Sequence, residues 1–172
     1  MLRTARLVIR SFTPGDIEAL DALYGDPEVM RYVGIGVPLT GDETRDALER
    51  ILLGERRHGF AAWAVTGRRT GDLVGEAGLQ LLDGGPEVEL TYLFVRSAWG
   101  KGYATEAAGA VVEHGFGALG LERVVAVAYP ANVASIAVMR KLGMHEEGMA
   151  RHYGGDLVKY SLERRDWLAL QV

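Results

Sequence analysis

Apolar residues recur every three to four positions in some stretches of this chain, and alternate or run unbroken in others. That change of period lays out its elements. Leu7-Val8-Ile9-Arg10 is short, apolar and β-branched, and predicts a strand. Thr13 then caps a helix with Pro14 at its first position and Asp16 in the first turn, where a carboxylate meets the positive end of the helix dipole. Ile17, Leu20 and Leu23 supply its apolar stripe, and Gly25 ends it. Thr40 and Glu43 form a capping box for a second helix. Ala47, Leu48, Ile51 and Leu52 of that helix face inward, and Arg45, Asp46, Glu49 and Arg50 form a solvated face.

The middle of the chain is β-rich. Strands are predicted over Phe60 to Thr66, Leu73 to Leu82 and Glu87 to Val95. The turns between them, Gly67 to Asp72 and Asp83 to Pro86, make an antiparallel meander. A long helix follows over Tyr103 to Leu119, with Ala107, Val111, His114 and Ala118 as one face and Gly120 as the stop. Arg123 to Ala128 is a continuous apolar strand of the kind buried on both faces. Asn132 caps a helix over Val133 to Leu142, ended by Gly143. Strands near Glu147 to Arg151 and Leu157 to Leu162 complete the order β-α-α-β-β-β-α-β-α-β-β, and a short helix over Arg164 to Leu170 follows. The pattern predicts one α/β domain with a mixed sheet over residues 1–172.

Composition narrows the chemistry. The 172 residues are 48% hydrophobic and 24% charged, globular values. Nineteen Lys and Arg against 23 Asp and Glu give a net charge of −4, which argues against nucleic acid as the main ligand. Cysteine is absent, which excludes disulfides, thiolate metal sites and a cysteine nucleophile. His58, His114, His145 and His152 lack metal-ligand spacing, so no metal is expected. With no apolar leader run and no stretch of 18 apolar residues, a cytoplasmic protein is expected and no membrane partner.

The informative segment runs from Val95 to Glu106, where a strand ends, a glycine-rich turn follows and a helix starts. The first turn of a helix leaves N–H groups unpaired at the positive end of its dipole. Gly100 and Gly102 let an anion approach that backbone, which makes a phosphate cradle. By spacing alone, a plain helix with a glycine-rich entry fits equally well. The segment has neither the lysine–threonine pair of a P-loop nor the third glycine of a dinucleotide fingerprint, which argues against a nucleotide-binding α/β protein.

Its neighbours add to this. Glu89-Leu90-Thr91-Tyr92 precedes the loop, and Asn132, Ser135 and Leu142-Gly143-Met144 follow it. This run resembles the GCN5-related N-acetyltransferase (GNAT) superfamily, and within it the branch of the ribosomal-protein N-terminal acetyltransferases RimJ and RimL. Thr4 to Arg10, Asp26 to Tyr32, Gly71 to Gly75, Tyr160-Ser161-Leu162 and Trp167 also match that branch, so the resemblance covers nearly the whole chain. It implies a GNAT-type α/β fold, a mixed and mostly antiparallel sheet flanked by helices, with a splayed central strand pair forming the acetyl-CoA site.

The resemblance also implies site residues. The strand before the loop splays from its neighbour at a bulge, and the backbone of Leu93, Phe94 and Val95 pairs with the pantetheine amides like an added strand. The N–H groups of Gly100, Lys101, Gly102, Tyr103, Ala104 and Thr105 hold the pyrophosphate. Lys101 is read as a solvated loop lysine. Trp99 stands where the superfamily has Gln or Arg, and its contact is apolar packing. Asn132 reaches the pantetheine arm, with a helix cap as its other reading.

Acetyl transfer from acetyl-CoA to a primary amine needs a neutral amine and a stabilised thiolate. An α-amine, with a pKa near 7.7–8.0, supplies much of its own neutral form, whereas a lysine does not. Without cysteine the transfer is direct, and the N–H of Phe94 or Val95 polarises the carbonyl. Glu89 is the candidate base, with Glu87 second on the same strand face; a solvent-facing strand glutamate is the plainer reading. Met139 occupies the position where many superfamily members place a proton-donating tyrosine, and it has no proton to give. Ser135 is then the candidate partner of the thiolate, with bonding back to its own helix as the alternative, and Tyr92 is a further source of the proton.

Tyr32, Tyr92 and Asp156 are weaker acceptor-binding candidates, Tyr32 within the irregular segment from Met30 to Leu39. Asp156 has a turn-bracing reading as well. The acceptor is a protein N-terminus or a small-molecule amine, and the branch admits a homodimer. A non-catalytic acetyl-CoA-binding sensor is the alternative function, kept by the missing tyrosine at Met139.

Overall fold

A computed structural model describes residues 1–170. One eight-stranded sheet runs through it, in the order β1-β2-β3-β4-β5-β6-β8-β7. The strands are β1 (Leu2–Arg3), β2 (Leu7–Arg10), β3 (Ala62–Gly67), β4 (Leu73–Leu81), β5 (Val88–Phe94), β6 (Arg123–Ala128), β7 (His145–His152) and β8 (Gly155–Glu163). Every neighbouring pair is antiparallel except β5–β6. The meander predicted from the two glycine turns is β3–β4–β5.

The helices are α1 (Ile17–Tyr24), α2 (Pro27–Met30), α3 (Gly41–His58), α4 (Tyr103–Gly117), α5 (Val133–Lys141) and α6 (Arg164–Ala169). Alternation along each strand divides the core between the two sheet faces. On one face, Val65, Leu79, Leu90 and Phe94 meet Ala107, Ala108, Val111, Val112 and Phe116 of α4. On the other, Ala64 and Leu93 meet Leu20, Leu23 and Tyr24 of α1, Val29 and Met30 of α2 and Leu48 of α3. Each fully buried Leu or Phe side chain contributes about 2 kcal/mol of transfer free energy, so the glycine-rich α4 is held by its packed stripe more than by helix propensity. The capping box of α3 forms as predicted: the Thr40 N–H donates to the Glu43 carboxylate at 2.7 Å, and the Glu43 N–H to the Thr40 hydroxyl at 3.3 Å.

Several details differ from the sequence expectation. Strand β1 pairs through two residues and α2 spans four, too short for any period to register. A 3-10 turn over Pro14–Asp16 precedes α1. Helix α4 ends at Gly117, so Ala118 is exposed, and the buried stripe runs through Ala108, Val112 and Phe116 as well. Among the described residues, no helix is long and apolar enough to cross a membrane.

Candidate active site

The site begins where two parallel strands part. β5 and β6 share a single rung, Glu89 opposite Val125. Beyond it the strands diverge, and a cleft of about 740 Å³ opens between them. No bulge produces the splay, because β5 keeps an unbroken register with β4 from Val88 to Phe94. The expected bulge is replaced by the divergence of the two strands themselves.

Backbone parity then decides which groups are free. The Val95 N–H donates to the Val74 carbonyl at 3.0 Å, which makes that pair a hydrogen-bonded one of the β4–β5 ladder. The groups of Leu93 point the same way, and those of Tyr92 and Phe94 point into the cleft. Leu93 and Val95 are therefore corrected as backbone partners of a ligand, and the Val95 N–H is unavailable to a carbonyl oxygen. Phe94 retains that capacity. Trp99 lines the cleft, and its indole N–H donates to the Phe94 carbonyl at 2.8 Å.

At the next turn, Gly100 and Gly102 have φ of +72° and +76°, the left-handed region that disfavours any residue with a Cβ. The first helical bond of α4 runs from the Glu106 N–H to the Gly102 carbonyl at 3.0 Å. The N–H groups of Tyr103, Ala104 and Thr105 thus lack a helical acceptor and form, with those of the loop, a concave row of donors. That row fits a pyrophosphate. Lys101 is exposed and outside the cleft lining, and its carbonyl accepts from Arg6 at 2.8 Å. Arg6 also pairs with Glu106 at 2.6 Å and stacks over the Tyr103 ring at 4.5 Å, which ties the loop to the N-terminal strands.

On the α5 side, Asn132 Oδ1 accepts the Ser135 N–H at 3.2 Å. The cap uses Oδ1 alone, so capping and a ligand role for the amide NH₂ are compatible. Ser135 Oγ lies 2.9 Å from the Tyr92 hydroxyl. Tyr92 thus stands beside Ser135 in the cleft lining. Burial pushes its proton affinity well above the ordinary tyrosine range. Met139 is 1% exposed and packs into the core beneath the cleft.

Glu89 sits at the vertex of the splay, on the opposite face of β5 from Tyr92, and is 5% exposed. Gln80, directly across the β4–β5 ladder, donates to Glu89 Oε2 at 2.9 Å, and the Tyr153 hydroxyl donates to the same oxygen. Burial raises the Glu89 proton affinity, and these two donors pull it partly back. Glu87 is engaged elsewhere, with Lys159 at 2.5 Å. Tyr32 also lines the cleft, its ring 6.5 Å from that of Tyr129, and the Tyr129 hydroxyl donates to the Gly34 carbonyl at 3.0 Å. Asp156 is exposed, pairs with Arg151 at 3.4 Å and does not line the cleft, so it is corrected to a turn-bracing position.

Gln80, Tyr129 and Tyr153 were missed in the sequence. Gln80 was accessible in principle, because closing the Asp83–Pro86 turn sets it opposite Glu89. Tyr153 and Tyr129 carried no local signal.

Residues 6–145 match the family described as acetyltransferase (GNAT) domain. The uncharacterized N-acetyltransferase YoaA of Bacillus subtilis is 32% identical over 162 residues, covering 89% of this chain and 87% of the relative. The crystal structure of a GNAT-family acetyltransferase from Bacillus anthracis superposes with a TM-score of 0.82 at 29% identity, over 95% of this chain and 98% of that one. RimL, the ribosomal L7/L12 alpha-N-protein acetyltransferase solved with coenzyme A, shares the fold at a TM-score of 0.80 and 18% identity, over 95% of this chain and 97% of that one. A family match over most of the chain, a relative of nearly equal span and a shared fold make this chain a member of the GNAT family of acetyl-CoA-dependent N-acetyltransferases.

Proposed function

We propose that the whole chain works as one domain, transferring the acetyl group of acetyl-CoA directly to a neutral primary amine, a protein N-terminal α-amine or a small-molecule amine. The pyrophosphate lies on the N–H row from Gly100 to Thr105, and the pantetheine arm runs along the open edge of β5 past Tyr92 and Phe94. The amine enters beside Glu89 and attacks the thioester carbonyl. A C–N bond forms, the tetrahedral oxygen is met by the Phe94 N–H, and the C–S bond then breaks. Glu89 takes the proton that the acylated nitrogen must lose.

The departing thiolate is met by the Ser135–Tyr92 pair. A coenzyme A thiol titrates near 8.5, as a cysteine does, well below buried Tyr92. The phenol therefore hydrogen-bonds the thiolate without surrendering its own proton, and solvent protonates the product. Met139 in place of a donor is no obstacle to such a step.

The single observation that carries this reading is the placement of Glu89 and Tyr92 on opposite faces of β5, at the point where β5 leaves β6. The base and the thiolate partner then flank one opening. The acceptor end supports an uncharged amine on an aromatic or apolar body: Tyr32, Tyr129 and Tyr153 line it, and Glu89 is its buried carboxylate.

An acceptor screen tests this. Acetyl-CoA is incubated with N-terminal peptides, amino acids and small primary amines, and products are read by mass spectrometry. N-acetylated product from at least one class is expected. Binding of acetyl-CoA with release of free acetate alone would sink the proposal.

A further inference from the structure

Among the described residues, two that are not glycine have positive φ, Asp83 at 49° and Tyr153 at 52°. A Cβ makes that conformation costly, and such strain persists only where surrounding contacts impose it. The two residues lie in different turns, one between β4 and β5 and the other between β7 and β8, and they bond each other twice. The Tyr153 N–H donates to Asp83 Oδ2 at 3.0 Å, and the Asp83 N–H donates to the Tyr153 hydroxyl at 3.1 Å. Gln80 Nε2 donates to the same hydroxyl at 3.1 Å.

A phenol has one proton and two lone pairs. With both lone pairs taken by Asp83 and Gln80, the Tyr153 proton has one direction left, toward Glu89 Oε2. Oε2 accepts from Gln80 as well, so the carboxylate cannot rotate freely. Its other oxygen, Oε1, has no protein donor, and no buried side-chain oxygen among the described residues lacks a partner, so Oε1 is the one open to the cleft.

We propose that Tyr153, locked by Asp83, is a positioning residue that holds Glu89 with Oε1 presented to the acceptor amine. This rests on Glu89 as the base, but it concerns a property of Glu89 that can be measured without turnover. The charges facing Glu89 are Asp83, with His152 4.0 Å from it, and Glu87 two residues earlier, which Lys159 and Arg123 neutralise; Tyr92 faces away on the same strand. Removing the Tyr153 proton raises the Glu89 proton affinity, because a donor favours the charged carboxylate. Removing the Asp83 charge lowers it, because a nearby like charge disfavours ionisation.

The experiment is a carbon-13 NMR titration of glutamate-labelled protein, with the Glu89 signal assigned by its loss in Glu89→Gln. Tyr153→Phe keeps the ring and is expected to move the Glu89 midpoint up by about one pH unit, a tenfold change in proton affinity. Asp83→Asn keeps an acceptor for the Tyr153 N–H, tolerates positive φ and is expected to move the midpoint down. Acetyl-CoA binding by calorimetry confirms that both variants are folded. Shifts of opposite sign are not produced by general loosening of the site. A Glu89 midpoint unmoved in Tyr153→Phe, or moved the same way by both variants, overturns the inference. Failure of Glu89 as the base appears separately, as full acetyl transfer by Glu89→Gln.

Discussion

The Tyr92 hydroxyl lies 2.9 Å from both the carbonyl oxygen and the side-chain oxygen of Ser135. A phenol that gives its proton to the carbonyl must accept the serine proton, so neither hydroxyl points into the cleft until something there recruits it. In the proposed transfer the forming thiolate is such a recruiter, and either hydroxyl can turn to it.

That redundancy fixes a prediction. Ser135→Ala lowers kcat by about tenfold, and Tyr92→Phe with Ser135→Ala by about a hundredfold, both with acetyl-CoA affinity unchanged, because the bond matters only as charge develops. Steady-state kinetics with calorimetry measures both. Loss of affinity with kcat intact would make the pair a binding element instead.

Glu89→Gln lowers kcat/KM by about ten- to a hundredfold for an α-amine acceptor, the low end for general base catalysis. Burial raises the Glu89 pKa above its ordinary 4.5. The base form is therefore lost as pH falls through that raised value, and the acid limb of the wild-type profile lies above the pH at which an unperturbed glutamate would place it. The variant loses that limb and recovers as rising pH neutralises the amine. A defect of equal size at every pH would leave Glu89 a structural residue.

Gly102→Ala weakens acetyl-CoA binding at least tenfold, about 1.4 kcal/mol, by calorimetry. The φ of +76° alone costs an alanine on the order of 1 kcal/mol, and the loop relieves it by turning its N–H groups off the phosphates. Thermal melting separates this from unfolding, since the loop is exposed. Unchanged affinity in a folded variant would place the pyrophosphate elsewhere.

Glu76 is buried under α1, accepts from the Tyr24 hydroxyl at 2.7 Å, and is pushed up to about 7 by burial. Its folded pKa lies above the ordinary 4.5, so the native state holds the extra proton between those values. Stability is then fully present below pH 4.5 and lost as pH rises through about 7. Glu76→Gln keeps the Tyr24 bond without the charge, and raises Tm at pH 8 while leaving it nearly unchanged at pH 5. Scanning calorimetry at both values checks this; equal effects at the two would show that Glu76 is not the titrating group.

Elements with a strong local period were legible in the chain. The capping box at Thr40 and Glu43, the glycine turns of the β3–β5 meander and the apolar run of β6 each carry their own physical cause within a few residues. So does the turn from Gly100 into α4, because unpaired N–H groups at a helix start and two glycines before it need no distant partner.

What the sequence by itself determined is therefore the α/β order, the placement of Glu89 and Ser135 beside a glycine-led helix, and the family resemblance. The tertiary structure decided which of those residues meet. That β5 parts from β6 after one rung, that Tyr92 faces Ser135, and that Asp83 and Tyr153 close on Glu89 from separate turns all depend on contacts 36 to 70 residues apart in the chain. Local propensity does not encode such pairings; they form only when the two sheet faces bury their alternate residues and bring the strand ends together.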